Sequence, residues 1–327
     1  VRAVVLLFLT GIATGVLAQS RAVDLYVGYS VGGGYDIYAR LLARHMGRHL
    51  PGNPTVVPRN MEGAGSLRLA NWLYKAAPRD GSAFGTIGRA IAFEPLFGEQ
   101  GAQFKGTEFG WIGSANDEVS VCAAWGKTGI ARFEDLYARE VFVGGTGGNS
   151  DTDTFPRALN SILGTRMKLV TGYPGGNDIT LALQRGEVQA RCGWSWSSIK
   201  TNHPAWVKDG TLKILAQLAL EKHPDLPHVP LIMDMVKTPE QRQVLRLVFA
   251  GQVMGRPFLA PPGVPAERLA ALRKAFMATM QDPAFLAEAE KIKLEIRPVS
   301  GEAVQKLVAE VYASPAEAVK KAAAALK

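Results

Sequence analysis

The chain has 327 residues, 47% of them hydrophobic and 20% charged, with a formal net charge of +8. That length suggests two domains, and the composition is that of a globular protein with ample core. The Lys and Arg residues are scattered, with no dense basic run interleaved with aromatics, so the excess charge does not point to nucleic acid and mildly favours anionic ligands.

Residues 1–18 stand apart. Arg2 precedes an apolar run from Ala3 to Leu17, and Val16-Leu17-Ala18 supplies small residues for cleavage. This reads as a secretory signal cleaved after Ala18. A membrane anchor is the alternative, but the run is short and is interrupted by Thr10, Gly11, Thr14 and Gly15. Export with cleavage is the expectation.

The next stretch, D-L-Y-V-G-Y-S-V-G-G-G-Y-D over Asp24–Asp36, organises the rest. Leu25, Tyr26 and Val27 suit a buried strand, Gly32, Gly33 and Gly34 break it, and a helix resumes at Asp36. Tyr38, Leu42, Met46 and Leu50 recur on one face of that helix, with Arg40, Arg44 and Arg48 on another. Strand, glycine loop and helix make an anion cradle: glycines allow close backbone approach, and the first helical N–H groups point outward unpaired. His45 and His49, four residues apart, read as packing histidines near the helix end, since no third metal ligand accompanies them.

Strands then alternate with helices: Thr55–Val57, a helix from Ser66 to Ala77, Phe84–Ile87, and two strands at Phe109–Ile112 and Val119–Trp125. Alternation restarts at Arg132, with a second cradle in E-V-F-V-G-G-T-G-G-N-S-D-T-D-T over Glu140–Thr154. Ser150 or Asp151 reads as the cap of the helix that follows. Lys168–Gly172, Val188–Cys192 and Leu212–Leu218 read as strands, with helices at Ile179–Arg185 and around Trp206. Such alternation predicts an α/β fold with mostly parallel sheets. The proline-rich His223–Pro230 reads as a return linker. Helices predicted at Ala266–Met280, Pro283–Lys291, Gly301–Tyr312 and Pro315–Leu326 should pad the first domain's sheet.

Several motifs compete for meaning. Gly28-Tyr29-Ser30-Val31-Gly32 matches the G-x-S-x-G elbow of α/β-hydrolases, with Asp225 and His228 downstream in permissible order. His228 sits between prolines, an awkward place for a base. Ile37 stands where a dinucleotide fingerprint needs its third glycine, and Gly144–Thr152 lacks the lysine of a P-loop. Trp194 and Trp196 alternate along an extended segment, so one should face a cleft and the other a core. Tyr29, Tyr35 and Tyr173 could line the same wall. Arg89 follows a strand, either pairing with a ligand carboxylate or standing in solvent. Cys122 and Cys192 invite a disulfide in an exported chain; two separate buried thiols are the alternative.

Taken together, V-G-Y-S-V-G-G-G-Y-D-I-Y-A-R, P-R-N-M-E-G-A-G-S and A-P-R-D-G-S-A-F-G-T-I resemble the start of the substrate-binding receptors of tripartite tricarboxylate transporters, the TctC or Bug family. The likeness continues through G-G-T-G-G-N-S-D-T, T-G-Y-P-G-G-N-D, L-Q-R-G-E-V-Q-A, G-T-L-K-I-L-A-Q and L-A-P-P-G-V-P-A-E-R-L. It implies a periplasmic, type II binding-protein fold whose two domains close on a small carboxylate, and delivery of that ligand to permease subunits in the membrane. It also implies no catalysis and no cofactor, with a monomer expected. The domains would be residues 19–122 with 228–327, and residues 123–227. Carried onto this chain, the carboxylate would be held mainly by backbone amides of Ser30–Asp36 (Gly32, Gly33, Gly34, Tyr35 and Asp36 among them) and of Gly147, Gly148, Asn149, Ser150, Asp151 and Thr152. Tyr173–Asn177, through Gly175 and Asn177, would form a third wall. Val31 stands where the family often has proline, W-S-W replaces a common phenylalanine-aspartate pair, and Arg89 replaces a small or polar residue. The ligand itself therefore does not carry over.

Overall fold

A computed structural model describes residues 22–147 and 150–327. The expected signal segment, and Gly148 and Asn149 of the second cradle, lie outside the described residues.

The chain begins as β1 (Val23–Val27), α1 (Gly34–Met46), β2 (Val56–Asn60), α2 (Leu67–Lys75), β3 (Ala83–Thr86) and β4 (Gly110–Ser114). It continues through β5 (Ser120–Trp125), α3 (Asp135–Ala138), β6 (Val141–Gly144), α4 (Asp151–Leu163), β7 (Met167–Val170), α5 (Gly176–Arg185), β8 (Ala190–Ser195), α6 (Trp196–Asn202) and β9 (Leu212–Leu218). After the linker come α7 (Ile232–Met235), α8 (Pro239–Val248), β10 (Pro257–Ala260), α9 (Ala266–Met280), α10 (Pro283–Lys291), β11 (Val299–Ser300), α11 (Gly301–Tyr312) and α12 (Ala316–Ala325).

Two sheets result. The first has the order β11-β4-β10-β3-β1-β2 and the second β7-β6-β8-β5-β9. In the first, β1 runs parallel to β2 and β3, while β10 returns antiparallel between β3 and β4. In the second, β6 is parallel to β7 and β8, and β5 is antiparallel to β8 and β9. The mixture follows from connectivity: helical crossovers give the parallel pairs, and the segments that pass between sheets give the antiparallel ones.

Local sequence explains most elements. The apolar face of α1 buries Tyr38, Leu42 and Met46, and the basic residues stay outside it. His45 and His49 reach across to Glu288 (2.6 Å) and Asp282 (2.9 Å), beside α10. Helices α4 and α5 stop at Gly164 (φ +79) and Gly186 (φ +76), left-handed positions that glycine fills without a Cβ clash. Thr238 and Gln241 form a reciprocal capping box at the start of α8, with Pro239 in the first turn.

The structure departs from sequence expectation in three places. The sheets are mixed and not mostly parallel, because β10 and β11 pair antiparallel with β4, and β5 pairs antiparallel with both its neighbours. The helix expected around Trp206 lies earlier, as α6, so Trp196 opens a helix and does not continue an extended segment. The last helix does not pad the first sheet. Instead α12 packs with α8 on α4, beside the second sheet. The buried Phe155 of α4 meets Phe249 edge-on at 4.9 Å. Burying each such ring contributes about 1.5–3 kcal/mol, which helps hold α8 against α4. Within the second sheet Cys122 and Cys192 are register partners, with Cα atoms 3.8 Å apart and their sulfurs joined.

Candidate ligand-binding cleft

The two strand-loop-helix turns face one another across the line between the sheets. In the first, Gly32 takes φ +81, and its N–H donates to Asp36 Oδ2 (2.8 Å). Asp36 also accepts from Arg40 Nε (2.8 Å) and Asn60 Nδ2 (2.9 Å), so the loop is braced by its own helix. In the second, Gly147 N–H donates to Asp153 Oδ2 (2.9 Å) and Thr146 N–H to Thr152 Oγ1 (3.0 Å). Ser150 lies buried within that hydroxyl network, 2.6 Å from Thr146 Oγ1.

Hydrogen bonds cross between the halves. Ser30 Oγ donates to Asp178 Oδ2 (2.7 Å), Asn177 Nδ2 to Val31 O (3.2 Å), and Gly65 N–H to Thr146 O (3.0 Å). Gly65, at φ +61, sits so close to the second loop that an added Cβ would lie 2.2 Å from Gly147 O. Its neighbours Ala64 (φ 46) and Ser66 (φ 80) also occupy the left-handed region, an uncommon conformation for residues with side chains. The cleft is therefore closed.

Inside it remains a cavity of about 30 Å³, room for one or two waters or a carboxylate head. Tyr29 and Tyr35, stacked at 4.6 Å, form one wall. Burial raises both phenols above their ordinary pKa, so they stay neutral. Two arginines, Arg191 and Arg256, border the space, and a third, Arg89, stands behind its wall. Arg89 is 1% exposed and ion-paired to Asp151 at 2.5 Å. Its guanidinium also reaches Ser120 Oγ (2.7 Å) and Gly255 O (3.2 Å). Burial alone would lower its pKa, yet the Asp151 charge raises it above the usual value, so Arg89 is a fixed cation. Arg256 stacks over Tyr35 (4.7 Å) and Tyr38 (5.1 Å) and pairs with Glu118 at 3.3 Å. Arg191 lies over the Trp194 ring at 4.7 Å, and burial pulls its pKa down to about 10.

Of the residues expected from sequence, Tyr29, Gly33, Gly34, Tyr35, Asp151 and Thr152 line this cavity. Gly32, Asp36, Gly147 and Ser150 shape its loops from behind. Ser30, Gly175 and Asn177 join the halves, Gly175 so closely that a Cβ there would meet Ser30 Oγ at 2.3 Å. Arg89 is neither exposed nor on the cavity wall but stands behind Asp151. Tyr173 lies outside, its hydroxyl 3.5 Å from Glu187. Trp194 is buried beneath Arg191. Trp196 donates to Asp225 (3.2 Å) and borders a separate groove between α6 and α10.

Sequence reasoning missed Arg191, Ser195, Ser198 and Arg256. A signal existed for the first two: Arg191, Gly193 and Ser195 recur at period two along β8. Arg256 had none, since its place depends on Glu118 and Ser197, far away in the chain. The hydrolase constellation does not assemble. Ser30 is bonded to a carboxylate, Asp225 is engaged by Trp196 and Lys200 (2.8 Å), and His228 is exposed in the linker.

No protein-family model and no curated protein matches the chain. Solved structures do. The periplasmic binding protein BugD superposes with a TM-score of 0.73 at 22% identity, covering 92% of this chain and 97% of that one. Rpa4515 of R. palustris, solved with adipate, gives 0.72 at 20% identity over 94% and 98% of the two chains. MatC from Rhodopseudomonas palustris, with bound malate, gives 0.71 at 19% over 93% and 99%. Two sheets, a cleft between them and these likenesses lead to one conclusion: the chain has the two-domain α/β fold of periplasmic solute-binding proteins.

Proposed function

We propose that this chain is a periplasmic solute-binding protein of the TctC/Bug type, which captures a small carboxylate by closing its two halves and hands it to a transporter in the membrane. It performs no catalysis. The observation that carries the reading is the closed cavity between the two glycine loops, walled by tyrosines and cations and sealed by hydrogen bonds from both halves. An anion held there is shielded from water, where charge-assisted hydrogen bonds are strong. Adipate and malate in the solved neighbours support a carboxylate as the ligand class. Closure would move residues 22–114 and 257–312 against residues 120–218, with α8 and α12 travelling with the latter because they pack on α4.

A thermal-shift screen of the purified protein, first unfolded and refolded to strip bound ligand, tests this. A ligand at a hundred times its dissociation constant should add about 2.7 kcal/mol of stability, a shift of several degrees. The expected result is stabilisation by at least one small carboxylate. A refolded protein indifferent to mono-, di-, tricarboxylic and aromatic acids would refute the reading.

A further inference from the structure

The four helices that point their N-termini toward the cleft already carry an acid at that end. Asp36 accepts from the loop before α1, and Asp153 does so before α4. Asp178 lies in the first turn of α5, and Glu118 accepts from Ser197 N–H at the start of α6 (3.3 Å). Their positive ends are thus answered within the protein. The arginines are not all answered. Asp151 pairs with Arg89 and Glu118 with Arg256, but Arg191 has no ion pair among the described residues. Its Nη1 donates to Gly176 O (3.1 Å), and its Nε, like those of Arg89 and Arg256, is buried without a hydrogen-bond partner. Arg191 is thus a buried guanidinium whose nearest opposing charge, Asp151, is already bound to Arg89, an unfavourable state that an arriving anion relieves. The hydroxyls beside it are poised as donors. Ser195 Oγ accepts from Arg89 and Arg256, and Ser198 Oγ accepts from Arg256 (2.9 Å), which turns each remaining proton toward an acceptor.

Resting on the proposed solute-binding role, we infer that Arg191 holds the ligand's carboxylate directly, assisted by Ser195 and Ser198, and that the site selects a monoanion. A second carboxylate would meet no unpaired cation and would face Asp151. The ligand class is a small monocarboxylic acid whose body is uncharged. Arginine, and not the loop amides alone, provides the recognition.

The experiment is calorimetric titration of the full, refolded chain with matched acids: hexanoate against adipate, and lactate against malate. Wild type, Arg191→Gln and Arg191→Lys are compared, with the melting temperature of each unliganded protein as the folding control. The expected result is at least tenfold tighter binding of a monocarboxylate than of its dicarboxylate partner. Arg191→Gln should lose at least a hundredfold in affinity, Arg191→Lys should restore part of it, and the unliganded glutamine variant should melt no lower than wild type. Equal or tighter binding of the dicarboxylates overturns the inference, as does affinity indifferent to Arg191, and both leave the solute-binding role standing. Binding of none of these four acids overturns the inference, and indifference to the wider set of acids in the thermal-shift screen overturns the role with it.

Discussion

Arg89 and Asp151 form an ion pair with side chains 1% and 8% exposed, and that burial sets what a substitution would do. Removing one partner strands the other charge in a dry site. Arg89→Met should destabilise the protein by about 3–5 kcal/mol in urea unfolding, whereas Arg89→Met combined with Asp151→Asn should recover part of the loss. A similar argument applies to His203, stacked on Trp206 at 3.7 Å. Burial, then the nearby Arg191 charge, lowers its pKa from 6.5 to about 4. Between those values the unfolded chain binds the proton and the folded chain does not, so stability is complete above about pH 6.5 and falls as pH drops toward 4. Melting temperatures across that range should decline in wild type and decline less in His203→Phe. At this scale the sequence was only half readable. Asp36 could be placed at the start of α1, and Ser150 or Asp151 at the start of α4, because the glycine break and the helical pattern that mark them are local. Arg256 could not, because Glu118 and Ser197 reach it only through the packing of two sheets.

Elements were more legible than residues, for a physical reason. The β1–α1 and β6–α4 units declare themselves through an apolar run, a glycine break and helical periodicity, all local signals. The missed α6 shows the limit. The W-S-W-S-S segment carries strand-forming aromatics, and it coils because Ser197 N–H and Oγ are both drawn to Glu118 on the approach to β5. Strand β5 is likewise fixed from outside, sandwiched between β8 and β9, with Cys122 opposite Cys192. That pairing closes a chain segment with a separation of 70 residues. Denatured but unreduced protein should show no reactive thiol. Reduction should lower stability by roughly 4 kcal/mol if chain entropy governs the effect, measurable as a fall in the urea midpoint.

For the whole molecule the governing quantity is the balance between open and closed arrangements. Gly65 sits on the seam without lining the cavity, and a methyl group there would collide with Gly147 O and Ser150 Cβ (2.7 Å). Gly65→Ala should therefore hold the halves apart. Small-angle scattering should report a larger radius of gyration than wild type, and ligand affinity should fall, since closure has become harder. A variant as compact as wild type would show that the seam can yield locally.

The seating of α12 on α4 and α8 has a consequence for how the protein is made. A ribosome delivers β5 to β9 long before it delivers residues 316–325, so the half that contains α4 waits with an apolar face uncovered until the last helix emerges. The first sheet also waits, for β10 and β11. Neither half can complete itself early, as autonomous domains commonly do during synthesis. The nascent protein is thus expected to lean on holding chaperones through most of its translation, and to reach the protease-resistant state in a single late step.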